Sequence, residues 1–153
     1  MPPNYVRSAW ISDIHLGFKD CKAEFLLDFL RHLDCGQLYL VGDFIDFWSL
    51  HKGGRWPSGH GRVLNAVLAL AERGVRVVYI PGNHDEVVRD YLALRVGGIE
   101  IMAECEHRTA DGRRFLVTHG DEFDHTVKCG GWLADWFGDW IYDVLLFANR
   151  WTN

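Results

Sequence analysis

Gln37-Leu-Tyr-Leu-Val-Gly-Asp-Phe-Ile-Asp46 is the stretch on which the fold turns. A short apolar run that stops abruptly at Gly-Asp suits a strand buried on both faces, the kind that parallel sheets use. Two similar runs flank it. Tyr5–Ser12 ends in Asp13-Ile-His-Leu-Gly17, and Val75–Ile80 stops at Pro81-Gly82. Between the runs lie two helical patterns. Lys22–Leu33 carries Phe25, Leu26, Phe29, Leu30 and Leu33 at the helical period, with Gly36 just beyond. Arg62–Arg73 places Val63, Leu64, Val67, Leu68 and Ala71 on one face and ends at Gly74. The first 85 residues therefore predict β-α-β-α-β, with crossovers long enough for parallel pairing.

Further along, Ser49–Gly61 is rich in Gly, His and Pro and reads as a loop, and Glu86–Leu94 reads as a short helix. Glu100–Ala110 and Arg113–Thr118 flank Asp111-Gly112, a pair typical of two-residue hairpins. The architecture is thus expected to change from parallel α/β to antiparallel β near residue 98. Gly131–Trp151 is helical in pattern. Trp132, Leu133, Trp136, Phe137, Trp140, Ile141, Val144, Leu145 and Ala148 form a wide apolar stripe, and Asp135, Asp139 and Asp143 lie on another face. The expected organisation is one domain over residues 1–153: a parallel half at 1–97, the start of a second sheet at 98–130, and a Trp-rich helix at 131–153.

The 153 residues are 48% apolar and 24% charged, which excludes disordered, collagen-like and coiled-coil classes. Acidic residues outnumber basic ones 21 to 16, giving a net charge of −5, so a nucleic-acid partner is not expected. The four cysteines show no Cys-x-x-Cys spacing, and a reducing compartment fits them best. The first residues lack the apolar core of a secretory leader, and no apolar run approaches ~18 residues. The expected location is cytoplasmic. The Trp-rich stripe leaves peripheral contact with the inner membrane open, although its acidic face opposes anionic lipid. Packing against protein is the other reading of that stripe.

Four segments place metal-ligating residue types directly after an apolar strand. They are Ser12-Asp13-Ile14-His15, Gly42-Asp43-Phe44-Ile45-Asp46, Gly82-Asn83-His84-Asp85 and Thr118-His119-Gly120-Asp121, spaced by about 30, 40 and 35 residues. In open α/β sheets, ligands gather in the crevice outside the strand carboxyl ends. Four loops on that edge would bring Asp13, His15, Asp43, Asn83 and His119 together. Carboxylate, amide and imidazole donors suit divalent Mn, Fe, Zn, Co or Ni and argue against a pure calcium site. A carboxylate can bridge two ions, and a pair about 3.5–4 Å apart can clamp a phosphate and activate water. Taken singly, each segment also reads as an ordinary cap or turn. Their order and their strand contexts make the joint pattern specific.

These segments resemble the calcineurin-like metallophosphoesterase superfamily, whose pattern runs D-x-H, G-D-x-x-D, G-N-H-D/E, H and G-H-x-H. The first four blocks match without a substitution. The resemblance implies a four-layer α-β-β-α sandwich with two divalent ions, manganese foremost, at its edge. Asp13 and His15 would bind the first ion, Asp43 would bridge, and Asn83 and His119 would bind the second. His84 would face the phosphate, with Asp46 orienting its ring; a carboxylate behind an imidazole fixes its tautomer.

Ser12-Asp-Ile-His-Leu-Gly17, Leu40-Val-Gly-Asp-Phe-Ile-Asp-Phe-Trp48, Tyr79-Ile-Pro-Gly-Asn-His-Asp-Glu86 and Val117-Thr-His-Gly-Asp-Glu-Phe-Asp124 are similar to the UDP-2,3-diacylglucosamine pyrophosphatase family of lipid A synthesis. So is the tail, Asp143-Val-Leu-Leu-Phe-Ala-Asn-Arg-Trp151. The best-known branch carries Arg at the position of His84, so the likeness is to its sister branch. The implied activity is hydrolysis of a phosphate-containing substrate, such as a UDP-linked acylated sugar. A phosphodiesterase or phosphatase acting on another substrate, and a non-catalytic scaffold, are the alternatives.

No Gly-His-x-His occurs in the sequence. The expectation is therefore an N-terminal portion of a longer truncated sandwich, or one completed by a partner chain, with each ion short of one imidazole and one sheet face underfilled. Arg55 and Arg62 are candidates for pairing a diphosphate. His51, His60 and His125 read as solvated, and His32 and His107 as structural.

Overall fold

Three apolar strands lie side by side and parallel: β1 (Tyr5–Ser12), β2 (Asp34–Val41) and β3 (Arg76–Ile80). The structure, a computed structural model, describes residues 5–121 and 123. β4 (Arg95–Val96) and β5 (Ile99–Ile101) extend the sheet, giving the order β1-β2-β3-β5-β4, with β5 parallel to β3 and β4 antiparallel to β5. β6 (Cys105–Arg108) and β7 (Arg114–Val117) form a separate antiparallel hairpin. The chain divides into two compact units, Met1–His119 and Gly120–Asn153. The described residues of the second unit make a turn in which the Phe123 N–H donates to the Gly120 carbonyl, 3.0 Å. The Trp-rich stretch at 131–153 and His125 lie outside the described residues.

The pleat sorts the core into two layers. Leu38, Leu40, Val77 and Tyr79 point to one face of the sheet and meet α1 (Ala23–His32) and α3 (His60–Glu72) through Leu27, Leu30, Val63, Val67 and Leu70. Tyr39, Val78 and Ile80 point to the other face and pack on Cys105 and Val117 of the hairpin. Helices, parallel sheet and hairpin thus stack as three successive layers among the described residues, as a mixed α/β sandwich requires.

Several sequence expectations shift. Phe25 is 78% exposed and Phe29 47%; the inner face of α1 is Ala23, Leu27 and Leu30. Nearly every turn of this helix carries an apolar residue, so its period leaves the inner stripe ambiguous, and packing against α3 selects it. The loop expected at 49–61 begins with a helical turn, α2 (Phe47–His51), because Asp46 caps it by accepting the Ser49 N–H. Antiparallel pairing begins near residue 98, between β4 and β5, but inside the first sheet; the separate antiparallel hairpin starts at Cys105. Gly97 and Gly98, both at positive φ, let β4 fold back on β5 and keep that segment in the first sheet. The hairpin connection runs over 109–113, closed by the Thr109 N–H donating to the Arg113 carbonyl (2.9 Å), so it is longer than a two-residue turn. Glu86–Tyr91 is a 3-10 helix.

Candidate metal centre

The carboxyl ends of β1, β2 and β3 release three tight turns onto one edge of the sheet. The first two run side by side: the His15 N–H donates to the Asp43 carbonyl (2.8 Å), Leu16 N–H to that of Phe44 (2.9 Å), and Asp46 N–H to that of Leu16 (2.8 Å). Asp13, His15 and Asp43 all adopt the left-handed conformation, at φ 54°, 55° and 51°. That conformation costs a non-glycine residue about 1–2 kcal/mol and persists only where the surroundings over-determine it. Three candidate ligands share it, so the strain is concentrated where their side chains must converge.

The donor atoms form two groups, each within 4.8 Å: His15 with Asp43 and His84, and Asp13 with Asp43 and His119. Asp43 is common to both. Its Oδ2 lies 4.0 Å from His15 Nε2 and 3.9 Å from His119 Nε2, and its Oδ1 accepts the His84 backbone N–H at 2.8 Å. Asp13 Oδ1 stands 4.0 Å from His119 Nε2. Asn83 is partly buried in the turn between Gly82 and His84, both of which approach Asp43. A Cβ at Gly42 would stand 2.0 Å from the His119 ring, and one at Gly82 would stand 2.4 Å from Asp43 Oδ1. Those two glycines are therefore required by close approach.

His84 packs between the Trp48 ring (4.3 Å) and the edge of His15 (4.6 Å). Its Nδ1 is 3.3 Å from Asp46 Oδ1, a close contact that is out of line for a hydrogen bond. Asp46 also faces His15 Nδ1 at 3.5 Å, so it stands behind two imidazoles rather than one. Burial pushes the Asp46 carboxyl up, but hydrogen bonds from the Ser49 amide (2.7 Å) and hydroxyl (2.8 Å), with His84 beside it, outweigh burial and hold it below the usual carboxylate range. Three imidazoles and the Asp13 carboxylate around the shared Asp43, with a buried ring nitrogen lacking an aligned hydrogen bond, make a donor set that fits divalent cations of borderline hardness.

Two contributors escape sequence reading. Asp85, fully buried, accepts from the backbone N–H of Asp43, Phe44, Ile45 and Gly82 and from the Tyr79 hydroxyl. His60, expected to be solvated, is 4% exposed; its Nδ1 accepts the Gly17 N–H at 2.9 Å, two residues beyond His15. Burial holds the His60 imidazole below the usual histidine range. Arg62 is engaged by Glu24, whereas Arg55 is exposed.

A profile of the calcineurin-like phosphoesterase family matches residues 6–149. UDP-2,3-diacylglucosamine hydrolases are among the curated relatives. The protein of Porphyromonas gingivalis is 30% identical over 125 residues, covering 76% of this chain and 47% of that protein. That of Neisseria gonorrhoeae is 32% identical over 126 residues, covering 79% and 49%. That of Aeromonas hydrophila is 36% identical over 117 residues, covering 73% and 46%. Among solved structures, Pseudomonas putida nuclease MPE matches 63% of this chain and 47% of its own at 25% identity, with a TM-score of 0.38. The chain spans about half the length of the curated relatives it matches. With the family profile running through nearly the whole sequence, the chain belongs to the calcineurin-like phosphoesterase family.

Proposed function

We propose that this chain carries the ligand-bearing half of a metal-dependent phosphoester or pyrophosphate hydrolase acting on a nucleotide-linked, acylated sugar such as UDP-2,3-diacylglucosamine. Family membership implies divalent metals, and the names of the relatives supply the substrate class. The observation that carries the reading is Asp43, one buried carboxylate shared by two clusters of metal-ligating side chains.

Asp13, His15, Asp43, Asn83 and His119 would hold two ions, manganese foremost, with Asp43 common to both. Bound there, such a pair would neutralise phosphate oxygens and make water a stronger nucleophile. The protein's own groups do the rest. Asp46 faces His84 at Nδ1, which leaves Nε2 to meet a phosphate oxygen or to hold the proton that the leaving group needs. Trp48 stacks on the same ring and limits its rotation. The left-handed turns at Asp13, His15 and Asp43 set the donors in place before substrate arrives.

Calorimetric titration with Mn²⁺ tests the reading. Two ions per chain are expected, with Asp43→Ala abolishing both, and Mn²⁺-dependent hydrolysis of bis-p-nitrophenyl phosphate should vanish in the same variant. Unchanged Mn²⁺ stoichiometry in folded Asp43→Ala would overturn the shared-carboxylate assignment. Two bound ions without hydrolysis, in this chain and in one as long as the relatives, would favour a scaffold.

A further inference from the structure

We infer that Asp85 is the positioning residue that holds Asp43 in its left-handed turn, and that the affinity of the centre for metal depends on this carboxylate although it faces none of the clustered donors. The inference deepens the metal-centre reading above and rests on it.

The Asp85 carboxylate fills a cage of five donors. Oδ1 accepts the N–H of Gly82 (2.6 Å) and of Asp43 (3.2 Å), and Oδ2 accepts those of Phe44 (2.8 Å) and Ile45 (3.3 Å) together with the Tyr79 hydroxyl. Three consecutive backbone N–H groups, Asp43 to Ile45, point at one anion. This is the nest that a left-handed residue creates, and such nests bind negative groups. Asp85 is 0% exposed. Burial, then the negative charge of Asp85, push the Tyr79 hydroxyl far above the usual phenol range, so it stays a donor.

The geometric consequence is specific. Asp43 takes φ 51° while its amide and the next two are tied to Asp85, and its side chain then faces the other way, toward His15 and His119. The same carboxylate ties Gly82, and the His84 N–H closes the link by donating to Asp43 Oδ1. The turns after β2 and β3 are therefore cross-braced through Asp85 and Asp43. Without the anion, three converging N–H groups would be buried unpaired, and the turn would relax toward ordinary φ, carrying the shared carboxylate away.

Asp85→Asn keeps the size of the side chain but aims an N–H₂ at amides that need an acceptor. Amide exchange in the metal-free chain should show Asp43, Phe44 and Ile45 protected in the wild type and exchanging fast in Asp85→Asn. Mn²⁺ affinity should fall by roughly 10–100-fold, the usual penalty for losing a group that orients a ligand. In Asp85→Gly, formate should occupy the vacated cage and restore much of that affinity. If Asp85→Asn does not fold, Tyr79→Phe withdraws one donor and leaves the backbone cage whole; a several-fold weaker Mn²⁺ affinity is then expected.

Amides that stay protected in folded Asp85→Asn, undiminished Mn²⁺ affinity in that variant or in Tyr79→Phe, or formate that restores nothing in folded Asp85→Gly would each overturn the inference. A wild-type chain that binds no Mn²⁺ would overturn the metal reading instead, and the amide result would still decide whether Asp85 positions Asp43.

Discussion

At the carboxyl ends of β1, β2 and β3 polar side chains are turned inward; along the outer flank of β1 apolar ones are turned outward. Asp43, Asp46 and Asp85 are each at most 5% exposed, whereas Val6, Trp10 and Phe29 are 42–50% exposed and Phe25 is 78% exposed. Both regions invert the usual rule of apolar inside and polar outside. The first inversion is stable because Asp46 and Asp85 meet donors through both oxygens and Asp43 through Oδ1, so the cost of removing charge from water is offset by charge-assisted bonds. The second is compensated only at Trp10, which stacks on Tyr39 (5.5 Å) and meets the His107 ring (4.9 Å); β1 is an edge strand among the described residues, with β2 as its one neighbour. One region stores geometry; the other leaves apolar surface in water at Val6, Phe25 and Phe29.

Three substitutions sharpen that contrast. The largest effect belongs to the inner face of the helix that borders the open flank. Leu30 is 1% exposed and packs in the main core, so Leu30→Ala should cost about 2–5 kcal/mol in urea unfolding. A loss below about 1 kcal/mol would mean that α1 is weakly docked and that the flank extends under it.

An intermediate effect is expected at the polar edge and depends on pH. His60 is held neutral by burial while it accepts the Gly17 N–H, so its folded pKa lies below its unfolded value of about 6.5. The unfolded chain therefore takes up the proton first as pH falls. The stability His60 provides is full above about pH 6.5 and is lost as pH drops from there toward the folded pKa. His60→Asn supplies an oxygen acceptor and does not titrate. The wild type should therefore lose stability relative to His60→Asn between about pH 7 and about pH 5 in chemical unfolding. A pH-independent difference would show that His60 takes up its proton alike in the folded and unfolded chains.

The smallest effect is on the open flank itself. Phe25→Ser should change stability by no more than about 0.5 kcal/mol, because the ring is mostly in water already. A cost above about 1 kcal/mol would mean that Phe25 is covered in solution.

The strand-end segments were legible for a physical reason. Asp13, His15, Asp43 and His119 follow apolar runs, and a parallel sheet brings the carboxyl ends of its strands to one edge whatever the rest of the chain does. The required glycines, Gly42 and Gly82, were visible beside them. The inner face of α1 was not legible, because Phe25, Leu26, Leu27, Phe29 and Leu30 satisfy more than one helical stripe. β5 escaped because three residues carry too little pattern to mark a strand, and its place is decided by pairing with β3. Asp46 was legible as a carboxylate behind an imidazole, but that it faces both His15 and His84 emerges only when the two turns meet.

By itself the sequence determined the order of strands and helices, the parallel half of the sheet and the edge at which ligand-type residues collect. Local periodicity and turn chemistry act over a few residues, and those decisions need nothing more. Tertiary structure alone decided that Asp43 is held left-handed by Asp85, 42 residues away, and that His60 braces the turn after His15 from a distance of 43 residues. A turn aspartate and a helix-end histidine look ordinary in one dimension. They become braces only when folding buries them beside backbone N–H groups that have no other acceptor.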